Sequence, residues 1–300
     1  MIKNTKDLFN KLKIDKNILS VQQKQKLDED GFIIFENCEY MKKNLSLLNK
    51  ESKRLIALEK DLGGWEGKKK YFKQGKKFEE GADRLGALVN KHKVFLEMIK
   101  IPEILASAYH VVKSDLKIAA VNLRNPHQGS GEQRIHIDGN PRLSSKDNFT
   151  GIVCFCFLDD SNLENGAIRI IPKSHKLIGY PDEYININSK NKFEKRIIVK
   201  AGTIIVANLN IWHGGAKNIS GESRKMIMVN VKNRNQEQLL NYKKFLSNDV
   251  IKNLSPEESY LLATRDSDPT QVSDSGGSAG DLYRKFLKIN ENIKLKDFSL

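Results

Sequence analysis

The 300-residue sequence is poor in cysteine (three), proline (seven) and tryptophan (two). Its longest apolar run, near 151–158, has only the length of a strand. Each scarcity excludes something. Without ~20 consecutive apolar residues there is no candidate membrane helix. Three cysteines are an odd number, and Cys154 and Cys156 sit inside the apolar run. They read as reduced core thiols with Cys38, not as a secreted disulfide scaffold, and favour the cytoplasm. The opening MIKNTKDLFNKLKIDKN lacks the apolar core of a signal peptide, and Asp7 and Asp15 argue against a transit peptide. Arginine is scarce too: only 11 of the 51 basic residues, so the net charge of +14 is mostly lysine. Nucleic-acid footprints are usually clustered and arginine-bearing. The one dense basic cluster, Lys68, Lys69, Lys70, Lys73, Lys76 and Lys77 around Tyr71 and Phe72, reads more simply as a solvated loop than as a phosphate track. With 39% hydrophobic and 29% charged residues, the chain can bury a sizeable core.

Organisation follows from periodicity. The first ~115 residues are mainly helical in pattern. Ser20 is a candidate N-cap for VQQKQKLDED, which Asp30-Gly31 ends before a short strand from Phe32 to about Phe35. Helical spacing returns over 40–61 through Leu45, Leu48, Leu55 and Leu58, and again over roughly 83–99 and 102–112, the last opened by Pro102. From Leu116 the chain becomes a series of β-branched or aromatic runs: LKIAAVNLR, FTGIVCFCFL, AIRII, KRIIV, GTIIVAN and RKMIMVNVK. Six short strands without helices between them indicate an antiparallel sandwich or barrel. Helical patterning resumes after Arg234, interrupted by the polar stretch Asp266–Asp281 and closed by the amphipathic LYRKFLKI. The expected organisation is one domain over 1–300: helical to about 115, a β core over about 116–234, a helical extension over about 235–300. The glycine-rich loops Gly63–Gly81 and Asp266–Asp281 are candidate lids.

Six histidines are available, and two matter most. HID sets His136 and Asp138 two residues apart in a β-type segment, so both point to one face. His213 lies 75 residues after Asp138, directly behind GTIIVANLNIW. Two imidazoles and a carboxylate from adjacent strands can occupy one face of an octahedral metal and leave three positions open, the facial triad of non-haem Fe(II) oxygenases. An H-x-D pair alone is weak; Arg224 strengthens it. It follows His213 by 11 residues, across GGAKNISGES, and a hairpin of that length sets it beside the strand bearing His213. A guanidinium there holds a carboxylate bidentately, which implies a keto-acid cosubstrate. Asn122, Arg124 and Gln133 precede HID on a strand and loop facing the same cavity and are candidates to contact cosubstrate or substrate. Asn140, just beyond HID, is a further substrate candidate. His127 is expected to be exposed, His175 to be a turn residue, and Trp212 to be core.

The segments LSVQQKQKLDEDGFIIFENC, HID, ENGAIRIIPKSHK and GTIIVANLNIWHGGAKNISGESR together resemble the phytanoyl-CoA dioxygenase family of Fe(II)/2-oxoglutarate-dependent oxygenases, from Leu19 to about Lys232. The resemblance implies a mainly β fold with helical additions: a double-stranded β-helix (jelly-roll, cupin-like) core flanked by N- and C-terminal helices. It implies Fe(II) on His136, Asp138 and His213, with 2-oxoglutarate and O2 as cosubstrates. Arg224 is expected on the distal carboxylate, and Asn122 and Gln133 are the further cosubstrate candidates. Two positions depart from the family pattern: Lys173 stands where glycine is usual, and Gly215 where relatives often carry a hydroxyl residue. Asp138 is not replaced by a small residue as in related halogenases, so hydroxylation is expected. The expected partner is a small molecule, with an anionic one suited to the lysine-rich loop; neither membrane nor nucleic acid is expected. The competing readings are a non-catalytic β-barrel ligand-binding module and an oxygenase acting on nucleic acid.

Overall fold

A computed structural model describes residues 2–15, 17–60 and 81–266. Apart from Gly81 and Asp266, both candidate lid loops, with the lysine cluster, and the C-terminal amphipathic segment lie outside the described residues. Three N-terminal helices, α1 (Thr5–Leu12), α2 (Val21–Asp30) and α3 (Glu39–Glu59), bracket the first strand, β1 (Phe32–Phe35). The start of α2 is a capping box. The Ser20 hydroxyl accepts from Gln23 N at 3.1 Å, and Ser20 N donates to the Gln23 side chain at 2.9 Å. Its end needs Gly31 at φ +84°, where a Cβ would also meet the His175 ring at 2.4 Å. The buried stripe of α3 runs through Met41, Leu48 and Leu55 at seven-residue steps.

The expected helix over 83–99 is formed only in its later part. Its first part is instead a strand, β2 (Ala82–Leu85), antiparallel to β3 (Leu116–Pro126). Helix begins only at Lys93, with His92 as N-cap. Long-range pairing overrides local propensity here. The Asp83 side chain accepts from Asn125 at 2.9 Å and meets His127 Nε2 at 2.7 Å, tying β2 to its neighbour. The helix Pro102–Val112 has Pro102 at its first turn, as expected.

The remaining strands are β4 (Gly151–Phe157), β5 (Ile168–Ile171), β6 (Lys195–Ile197), β7 (Ile204–Asn208), β8 (Trp212–Gly215) and β9 (Met226–Asn233). They form a six-stranded antiparallel sheet, β1-β7-β4-β9-β3-β2, facing a smaller one, β6-β5-β8: a double-stranded β-helix. Alternation along the large sheet explains its near-continuous apolar runs, because both faces are buried. Ile152, Cys154 and Cys156 of β4 belong to one core with Met41, Leu48, Ile104 and Leu105 of the helices. Val153, Phe155 and Phe157 belong to a second core with Ile168 and Ile170 of the small sheet. The three cysteines are buried and free, and burial pushes Cys38 up to about 11. No described helix is long and apolar enough to cross a membrane.

Candidate metal centre

The small sheet is extended by the HID segment. His136 and His213 exchange both backbone hydrogen bonds, at 2.9 and 3.0 Å, so the HID strand runs antiparallel to β8. Asp138 N and Gly139 N both donate to Leu209 O at 3.0 Å, pinning the end of that segment to the chain just after β7. The result brings one donor atom each from His136, Asp138 and His213 within 4.8 Å of one another. Asp138 Oδ1 lies 3.5 Å from His136 Nε2, and Oδ2 lies 3.7 Å from His213 Nε2.

The imidazoles are oriented by the backbone. His136 Nδ1 faces Arg134 O at 2.9 Å, and His213 Nδ1 faces Ile211 O at 3.0 Å. A carbonyl only accepts, so each Nδ1 carries a proton, and Nε2 is the ring atom of each histidine that faces the carboxylate and could ligate a metal. That is the usual outer support of a metal-binding histidine. Burial opposes charge on all three groups. At Asp138 it is outweighed by His213, by the hydrogen bond and charge of His136 and by Arg84, which hold the carboxyl well below the usual range. At His136, burial is outweighed by the hydrogen bond and charge of Asp138, which push it up; at His213, burial and the neighbouring imidazole hold it down. Two neutral-capable imidazoles and an ionised carboxylate suit a divalent ion with imidazole and oxygen preference.

The triad opens into a cavity of about 170 Å³ between the sheets, lined also by Arg84, Arg124, Gln133 and Arg224. Arg224 is fully buried and reaches the same cavity as the triad, though not as a hairpin neighbour of β8. The strand after it, β9, pairs with β4 and β3 in the large sheet, while β8 pairs with β5 in the small one. The GGAKNISGES connection crosses between sheets, and Arg224 comes from the opposite wall, on the face of β9 that carries Met226 and Met228. Its backbone N donates to Asn125 Oδ1 at 3.0 Å.

The other sequence candidates divide. Arg124 and Gln133 line the cavity, but Asn122 and Asn140 do not. The Asn122 side chain is buried opposite Met228 in register, and Asn140 is exposed with its carbonyl bonded to Asn210. Gln133 Oε1 accepts from Gly215 N at 3.1 Å. A Cβ on Gly215 would stand 3.0 Å from Arg124 Nη1 and 3.1 Å from Gln133 Oε1, so the space of a hydroxyl residue is filled. His127 is half-buried against Asp83, not exposed. His175 is a buried turn residue, and Trp212 packs on Ile135 and Ile171. Arg84 was hidden from sequence reasoning, because four residues of edge strand carry no usable periodicity.

Comparison with known proteins follows this geometry. No curated protein matches the sequence. Several solved structures share the fold. HygX from Streptomyces hygroscopicus, with nickel and 2-oxoglutarate bound, superposes with TM-score 0.58 at 16% identity, covering 73% of this chain and 89% of that one. EctD from S. alaskensis, with 2-oxoglutarate and 5-hydroxyectoine, gives 0.58 at 16%, covering 73% and 78%. The α-ketoglutarate-dependent carbocyclase SnoK from nogalamycin biosynthesis gives 0.56 at 15%, covering 81% and 93%. At such identities the likeness is one of fold. The family is established by the sequence itself: residues 27–226 match the model of phytanoyl-CoA dioxygenase (PhyH), and the chain belongs to that family.

Proposed function

We propose that this enzyme holds Fe(II) through His136, Asp138 and His213 and uses 2-oxoglutarate and O2 to hydroxylate a small molecule at an unactivated C–H, releasing succinate and CO2. The observation that carries this is the joint geometry: three metal donors converge on one cavity, and a fully buried arginine reaches that cavity from the opposite sheet. Iron would supply the oxidising chemistry; the protein supplies ligand geometry, a dry site and alignment. Arg224 is the counter-charge for the distal carboxylate of 2-oxoglutarate, and Gln133 and Arg124 flank it near Gly215. Phe155, Ile168, Met226 and Met228 give the cavity its apolar walls. Asp138 supplies the carboxylate a halide would have to displace, which favours oxygen transfer over chlorination. HygX, EctD and SnoK support the cosubstrate reading, since each is described with 2-oxoglutarate or as dependent on it.

The test is succinate formation from 2-oxoglutarate across a metabolite panel, with product masses recorded. A substrate-dependent burst of succinate with a product 16 Da heavier is expected. A product lighter by two hydrogens, or an organochlorine, would replace hydroxylation by another oxidative outcome. Absence of any Fe(II)/2-oxoglutarate absorption band would remove the reading altogether.

A further inference from the structure

Three of the ten described arginines line one small cavity, and the proposed function assigns only Arg224 as the counter-charge of the cosubstrate's far carboxylate. Arg84 and Arg124 are register partners on β2 and β3, so they leave the large sheet side by side on one face. Like charges directly opposite on adjacent strands cost stability. Turned inward beside the triad, the pair concentrates positive charge on one wall of the cavity.

The two arginines differ in depth. Arg124 is 1% exposed, its Nη2 donates to Gly131 O at 2.7 Å, and its Nη1 lies against Gly215. It is held at the far end of the cavity, beyond His213 along β8. Arg84 lies on the edge strand, half-buried, and lines the same cavity as the triad. At the edge of the large sheet and less buried than Arg124, it is the more solvent-accessible of the two. Its neighbour Asp83 faces the other way, engaged by Asn125 and His127.

We propose that Arg84 is a specificity-determining residue that grips an oxyanion of the substrate, a carboxylate or phosphate, and holds the molecule beside the metal. This rests on the reading that the triad binds the metal and that Arg224 serves the cosubstrate. The substrate class is then an organic anion, in which the oxyanion is the anchor and the reacting C–H lies a few bonds away. Guanidinium geometry favours such two-oxygen groups over point anions.

Protein loaded with Mn(II) and saturated with 2-oxoglutarate is titrated with inorganic phosphate and, separately, with acetate. The readouts are 31P relaxation and methyl 1H relaxation, which the paramagnetic ion enhances only at short range. Saturable enhancement is expected for at least one probe. Affinity should fall roughly 10- to 100-fold in Arg84→Gln and partly recover in Arg84→Lys, with 2-oxoglutarate affinity unchanged. A response to phosphate alone identifies a phosphoryl anchor, and to acetate alone a carboxylate. Non-saturable enhancement, or equal enhancement in wild type and Arg84→Gln, overturns the proposal. So does a tenfold loss of 2-oxoglutarate affinity in Arg84→Gln, which would assign this arginine to the cosubstrate. If wild-type protein binds neither metal nor 2-oxoglutarate, the proposed function fails. Calorimetric titration of the metal-free protein with the same anions still reads Arg84, and no dependence on it there overturns the anion site.

Discussion

His175 should make stability depend on pH in a range where few other groups titrate. It is fully buried in the turn after β5, its ring centred 5.4 Å from that of Phe149, tilted 36° to it, and pressed against Gly31. Nε2 faces Asp28 O at 3.2 Å, so it carries the proton of the neutral ring. Nδ1 has no hydrogen-bond partner among the described residues. A second proton would bury both a charge and an unsatisfied donor. Burial therefore pulls the imidazole down to about 4; Lys176 and Arg142 add to this, while the Asp28 carbonyl and carboxylate oppose it. In the unfolded chain the value is ~6.5. Between those two values the unfolded state binds more protons, so stability must fall as pH drops from 6.5 toward 4 and level off below. At ~1.4 kcal/mol per pH unit, the full gap is worth about 3 kcal/mol, of which roughly 2 kcal/mol is lost between pH 7 and pH 5. His175→Gln keeps an N–H donor at the position of Nε2 but cannot titrate. Urea denaturation of both proteins, read as their stability difference against pH, cancels the remaining groups. Wild type should exceed the variant by about 2 kcal/mol more at pH 7 than at pH 5. Parallel curves, or an NMR titration of His175 near 6.5, would refute the argument.

Four further outcomes are expected. His136→Ala and His213→Ala should each lose stoichiometric Fe(II) by metal analysis while wild type retains one ion per chain; retention in both variants would locate the metal elsewhere. Arg224→Gln should raise the 2-oxoglutarate requirement ~10- to 100-fold, read from the metal-to-ligand absorption band, with Fe(II) binding intact. Gly215→Ser should destabilise by about 1–3 kcal/mol in denaturant titration, because its Cβ would crowd Arg124 Nη1 and Gln133 Oε1 at 3.0 and 3.1 Å. Lys173→Gly should stabilise by about 0.5–1 kcal/mol: Lys173 sits at φ +69°, where a side chain costs roughly 1–2 kcal/mol and glycine's extra unfolded freedom returns part of that.

What the sequence disclosed depended on whether the cause was local. Ser20 and Gly31 bracket α2 through bonds within a few residues, so the helix and the strand after it are readable at Leu19–Phe35. The β4 run is readable because both faces of its strand are apolar. HID is readable because two-residue alternation puts His136 and Asp138 on one side wherever the strand goes. β2 is not readable: ADRL is a strand because it pairs with Leu123–Pro126 some forty residues later, a pairing Asp83 reinforces through Asn125 and His127. Arg84 is lost with it. The tight fit of Gly31 on His175 is likewise invisible, since nothing in DG or PKSH alone announces that one turn packs on the other.

Arg224 is the instructive case, because it reaches the expected cavity by a different route. Eleven residues are about right for a hairpin, and a hairpin would have put both residues on one sheet. Instead the connection climbs from the small sheet to the large one, so the triad and the arginines belong to opposite walls. His136, Asp138 and His213 are carried by β8 and the segment beside it, while Arg84, Arg124 and Arg224 are carried by β2, β3 and the approach to β9. A hairpin would hold metal ligand and arginine at a spacing set by local backbone bonds. Opposed walls hold them at a spacing set by Phe155, Phe157, Ile168 and Ile170, the side chains that keep the sheets apart. On the proposed function, core packing sets the length of cosubstrate the site accepts, and the arginine-bearing wall belongs to a different sheet from the triad.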